Sequence, residues 1–126
     1  MRARIIPIGI LTVALGLGLA ACGEDDESGD AGGGTEVAVT GTDKECTPSV
    51  TEIPAGKTTF VFTNKAGDVS EIYVYSGSKV VKEVENVISG ATKKLTITAE
   101  AGKTYTLTCK PGQKGAGIST DVMVKG

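Results

Sequence analysis

From Thr35 onward the chain is a succession of short runs in which apolar and polar side chains alternate, each closed by Gly, Pro, Asn or Ser. A repeat of two is the signature of a half-buried strand, because successive side chains leave a strand on opposite faces. The runs are Glu36–Thr40, Val50–Ile53, Thr58–Thr63, Glu71–Tyr75, Lys79–Val87, Lys94–Thr98, Thr104–Cys109 and Thr120–Lys125. Phe60 and Phe62 share one face of the third, and Tyr105, Leu107 and Cys109 share one face of the seventh. Between them lie Pro54-Ala-Gly56, Asn64-Lys-Ala-Gly67, Ser76-Gly77-Ser78, Ser89-Gly90 and Ala101-Gly102, which carry turn chemistry. No stretch shows the i, i+3, i+4, i+7 spacing of an amphipathic helix. Seven or eight short strands in about 90 residues predict an all-β domain, a two-sheet Greek-key β-sandwich.

The segment before Thr35 obeys different rules. Arg2 and Arg4 precede a nearly all-apolar stretch, Ile5 to Leu19, which ends in Ala20-Ala21-Cys22. Its length approaches that of a spanning helix, about 18 residues or more. Pro7, the clustered glycines and the small-small-Cys ending instead resemble a bacterial lipobox, where the cysteine becomes the acylated N-terminus. The expectation is a lipoprotein signal peptide over residues 1–21 and a lipid anchor on Cys22. The domain would then be held at the extracytoplasmic face of the cell membrane, since a two-chain lipid suffices for stable anchoring. Residues 22–34 carry Glu24, Asp25, Asp26, Glu27 and Asp30 among glycines and no apolar run, which predicts a solvated tether. The fold therefore occupies residues 35–126. With the tether's five acids and the two N-terminal arginines set aside, ten acids face eleven lysines there. A nearly neutral domain has no electrostatic footprint for nucleic acid.

Of 126 residues none is histidine. That removes the common nucleophile–base triads, histidine-ligated zinc and the two-His-one-Cys copper site. An enzyme of ordinary type is not expected. Two cysteines remain beside Cys22. In an oxidising compartment Cys46 and Cys109 are expected to pair, closing a loop of 63 residues that would stabilise the fold by about 4 kcal/mol in the chain-entropy model. The alternatives are that both act as soft thiolate ligands for copper or that they stay unpaired. The acids Glu45, next to Cys46 on a turn, Glu71, at a strand start, and Glu83 and Glu85, on one face of a strand, are candidate hard ligands. Taken singly, each reads first as an ordinary solvent-facing residue balanced by Lys44, Lys79 or Lys82, the default for an exposed glutamate. Met123 reads as a packing residue of the closing strand.

The segment Tyr105-Thr-Leu-Thr-Cys109-Lys-Pro-Gly112 resembles the metal-site end of a copper protein, with Pro111, Gly112 and Gln113 where the turn would supply a histidine. Together with Asp43-Lys-Glu-Cys-Thr-Pro48, Ile53-Pro-Ala-Gly-Lys57, Phe60-Val-Phe-Thr-Asn64, Glu71, Val80–Asn86 and Ser89-Gly90, it makes the chain similar to the EfeO-type cupredoxin-like domain. The resemblance covers nearly all of residues 35–126. It implies a cupredoxin-like fold and a place beside a ferrous-iron uptake system, with an iron permease or an oxidase as partner. It also implies iron or copper ions bound through Glu45, Cys46, Glu71, Glu83, Glu85 and Cys109. Where the family commonly places a second acid two residues after Glu71, this chain has Tyr73; the helical imelysin/peptidase-like domain of fuller members is not in this sequence. A second function class stands beside this one: a metal-free β-sandwich interaction module clasped by a disulfide.

Overall fold

The computed structural model of the chain describes residues 33–126. The expected signal peptide, the lipid anchor at Cys22 and all of the tether up to residue 32 lie outside the described residues. Every regular element among the described residues is a strand: β1 Thr35–Gly41, β2 Cys46–Pro48, β3 Glu52–Ile53, β4 Gly56–Asn64, β5 Ser70–Ser76, β6 Lys79–Val87, β7 Thr92–Ala99, β8 Thr104–Pro111 and β9 Ile118–Val124. Eight of the nine fall on the predicted alternating runs. The additional one is β2, three residues that pair with β1 from Val39↔Pro48 to Gly41↔Cys46. Three residues are too few for alternation to be visible, so Cys46 belongs to a strand and not to the turn in which the sequence placed it.

The strands form two mixed sheets, ordered β2-β1-β4-β7 and β3-β9-β8-β5-β6. β1 and β4 run parallel, in register from Thr35↔Thr58 to Gly41↔Asn64. A hairpin cannot join parallel neighbours. The chain between them instead adds β2 to the edge of the first sheet and β3, parallel to β9, to the edge of the second. The outcome is the expected all-β Greek-key sandwich.

Alternation delivers the core. Val37, Val39, Phe60, Phe62, Leu95 and Ile97 face inward from the four-stranded sheet. Ile72, Val74, Tyr105, Leu107 and Val122 meet them from the five-stranded sheet. Burial of each such side chain stabilises by about 1.5–3 kcal/mol before the cost of ordering the chain. The phenol of Tyr105 reaches the rim, where it accepts from the backbone N–H of Glu100 (3.1 Å), so no polar atom is stranded. Met123 departs from expectation. It alternates with Val122 and Val124, so it leaves the sheet on the outer face and is 56% exposed.

The two ends of the sandwich differ. One is closed by short turns after Ile53, Ser76 and Ala99. Both Gly34, against Lys57, and Gly126, against Gly102, lie at that end. The other end gathers the longer connections, residues 42–45, 65–69, 88–91 and 112–117.

Candidate functional site

Cys46 and Cys109 form a disulfide. Cys46 sits in β2 of the four-stranded sheet and Cys109 in β8 of the five-stranded sheet, so the bond ties one layer to the other. Both are buried, at 2% and 0% exposure. Their surroundings are tight. A β-carbon on Gly41 would lie 2.6 Å from the ring of Phe62 and 3.4 Å from the Cys109 sulfur. One on Gly117, whose φ is +81°, would meet the Cys109 carbonyl oxygen at 2.8 Å. The ligand role expected of Cys46 and Cys109 is thereby corrected, because a soft metal site needs thiolates and neither sulfur of a disulfide is one.

The long connections at this end converge on Asn64, the last residue of β4, which is fully buried. Its side-chain amide donates to the carbonyls of Asp68 and Val87, each at 2.8 Å, and its Oδ1 accepts from the N–H of Ala66 at 2.9 Å. Both donors and the acceptor are therefore engaged, which fixes the loop that follows and carries the end of β6 with it. Gln113, at the turn where a copper protein would place a histidine, also has a structural task. Its Oε1 accepts from the Asn86 N–H at 2.7 Å, and both residues adopt positive φ (54° and 56°).

The acids fall elsewhere. On the outer face of the five-stranded sheet, Glu71, Tyr73 and Tyr75 alternate with the core residues of β5. Register sets Tyr73 opposite Glu83 on β6 and opposite Thr108 on β8, with Glu71 opposite Lys110. Glu85 shares the parity of Glu83. Glu71 is only 8% exposed, while Glu83 and Glu85 are exposed. The Tyr73 phenol is pushed from 10.0 up to about 12, first by desolvation, then by the charge of Glu71 and the hydrogen bond between the two side chains, and by Glu83 and Glu85. The Lys110 ammonium lies 4.6 Å above the centre of the Tyr73 ring, and Tyr75 stacks on the same ring at 5.8 Å. A cation over the face of a ring is drawn by its quadrupole, so Lys110 partly offsets the three carboxylates.

Three of the four candidate carboxylates thus share one face around Tyr73. Glu45 is not among them. It is exposed on the 42–45 turn, where its N–H donates to the Thr42 hydroxyl (2.9 Å). Among the described residues no three His, Cys, Asp or Glu side chains are close enough to hold a metal ion as they stand. Sequence reasoning missed Asn64, Tyr73 and Lys110 as members of this region. The spacing of Glu71, Tyr73 and Tyr75 is the signal that reveals the face they share. Asn64 looks like any turn asparagine until its partners are seen.

The model for the cupredoxin-like domain matches residues 9–118. The iron uptake system component EfeO of Yersinia pseudotuberculosis serotype I is 39% identical over 74 residues, 59% of this chain and 20% of that protein. The EfeO of Escherichia coli strain K12 is 38% identical over 74 residues, again 59% and 20%. The chain thus spans about a fifth of the length of the curated relatives it matches. Among solved structures, reduced auracyanin from Roseiflexus castenholzii superposes with a TM-score of 0.58 at 15% identity, covering 75% of this chain and all of that one. Auracyanin A from Chloroflexus aurantiacus, a blue copper protein, gives 0.52 at 17% identity, covering 74% of this chain and all of that one. At such identities the likeness is one of fold. With a sandwich of that topology and the family match over most of its length, the chain belongs to the cupredoxin-like domain family, as an EfeO-type member.

Proposed function

We propose that this domain serves as a non-catalytic accessory of an iron-uptake system, engaging iron as cargo on the outer face of the five-stranded sheet. The observation that carries this reading is the gathering of Glu71, Glu83 and Glu85 around Tyr73. Oxygen donors suit hard ions, ferric iron among them, and a phenol beside carboxylates adds another oxygen; the similarity to EfeO selects iron from that class. The donor set does not suit copper in a blue-copper site, which requires imidazole and thiolate; this chain has no histidine, and Cys46 and Cys109 are joined. Since the carboxylates do not converge on one point, the exposed Glu83 and Glu85 must swing toward the buried Glu71 to surround an ion. Attachment to the membrane through Cys22 would place this face outside the cell, within reach of a permease or oxidase partner.

Iron titration of the full-length chain, followed by native mass spectrometry, tests the reading. Glu71→Gln is expected to weaken iron binding about tenfold, roughly the free energy of one charge-assisted contact, with an unchanged circular dichroism spectrum. Equal occupancy in Glu71→Gln and the parent would remove Glu71 from the site. The disulfide and the open arrangement of the acids favour one second reading, a metal-free interaction module. Failure of the parent chain to take up iron at all would select it.

A further inference from the structure

The pleat of β6 separates charge. Glu83 and Glu85 leave on the side of Tyr73, while Lys82 leaves with Val84 on the other side, toward the open edge of β7. There it meets Lys93 and Lys94, and with Thr92 and Thr96 the three lysines line an open groove of about 440 Å³ between the edges of the two sheets. Among the described residues no carboxylate lines it. Lys82, Lys93 and Lys94 are all exposed, and none makes an ion pair among the described residues. The hydroxyls are oriented: Thr92 pairs with Thr63 at 3.0 Å and Thr96 with Thr59 at 2.9 Å. Where Thr63 and Thr59 donate to them, Thr92 and Thr96 each keep a proton to give to a ligand.

Three uncompensated ammonium groups in one concavity raise the local positive potential beyond what any of them makes alone. Lysine binds phosphate oxygens as a compact charge, and threonine hydroxyls complete the donor set. We propose that the groove between β6 and β7 is a binding site for a phosphate-bearing anion. The same chemistry serves a free phosphate compound or the headgroups of an anionic lipid surface. The site lies on the opposite side of β6 from the acidic face, and its existence does not rest on the iron reading. Lysines on edge strands also discourage pairing with another sheet. That role requires no ligand, and the experiment separates the two.

The test uses the isotope-labelled full-length chain, titrated with inorganic pyrophosphate at about 0.15 M salt, where the screening length is about 8 Å and diffuse attraction is weak. Amide shifts are expected to saturate and to centre on Lys82 and Thr92–Thr96. Lys93→Gln with Lys94→Gln should weaken binding about tenfold or more; Thr96→Val, which keeps every charge, should weaken it by a smaller factor. Shifts that never saturate, that spread equally to Lys44, Lys65 and Lys114, or that survive the double substitution overturn the proposal and leave edge protection as the role of these lysines. A second arm measures co-sedimentation with vesicles of phosphatidylglycerol in phosphatidylcholine against phosphatidylcholine alone. A gain from phosphatidylglycerol that the double variant loses identifies headgroups as the source. No such gain, with pyrophosphate binding intact, identifies a free phosphate compound.

Discussion

The two sheets share one core and carry opposite chemistry on their outer sides. The five-stranded sheet presents Glu71, Tyr73, Glu83 and Glu85, packed closely enough that Glu71 is nearly buried. The four-stranded sheet presents hydroxyl pairs, Thr59 with Thr96 and Thr63 with Thr92, beside freestanding lysines. The difference follows from position. β5 lies between β6 and β8, so a side chain on its outer face is flanked on both sides, and a carboxylate there must find a partner in Tyr73. β7 is an edge, where an ammonium group keeps its water. An almost neutral domain therefore holds its charge in separate territories, a property that net composition conceals.

The largest expected perturbation breaks the connection between the two sheets. Replacing both Cys46 and Cys109 with Ala removes the closure of a 63-residue loop and should lower stability by about 4 kcal/mol in urea unfolding. A loss below about 1 kcal/mol would mean that packing alone couples the layers. Next is Asn64→Ala, which strands the Asp68 and Val87 carbonyls and the Ala66 N–H, at an expected cost of about 3 kcal/mol. Hydrogen exchange should accelerate both across the 65–69 connection and at the end of β6. Acceleration confined to the connection would deny Asn64 its bridging role.

The smallest effect on folding, and the sharpest on the acidic face, comes from Tyr73→Phe. In the folded chain this phenol holds its proton to about pH 12, against 10.0 when unperturbed. The unfolded chain releases that proton first, so the associated stability is complete below pH 10.0 and lost as pH rises toward about 12. Absorbance titration of the parent should show a tyrosine step near pH 12 that Tyr73→Phe lacks. A step that persists in the variant would place the shifted group elsewhere.

Much of the fold was legible because alternation is a local property. Phe60 and Phe62, or Tyr105 and Leu107, declare their burial two residues at a time. β2 escaped because a three-residue strand is defined by its neighbour β1 and not by its own pattern. Met123 was misassigned for a related reason: its bulk suggested packing, whereas its parity with Val122 and Val124 dictates exposure. The pairing of Cys46 with Cys109 was one of three options in the sequence, and the structure resolves it as a disulfide. The acidic face was half legible, since Glu83 and Glu85 share parity, but their association with Glu71 depends on register across β5 and β6. Register with bulges, between Ser70 and Ile72 and again between Val74 and Tyr75, is not written in either strand alone.

The placement of Gly34 beside Lys57 and Gly126 beside Gly102 has an architectural consequence. The domain is wired like a plug: both leads enter at the short-turn end, and the end organised by Asn64 and the disulfide points the other way. Strands of seven to nine residues put about 25 Å between the two ends. The chain therefore enters the domain at Gly34 and leaves it at Gly126 on the same side. Such a module can be moved between longer proteins, or between a soluble and a tethered setting, without rebuilding its working surfaces.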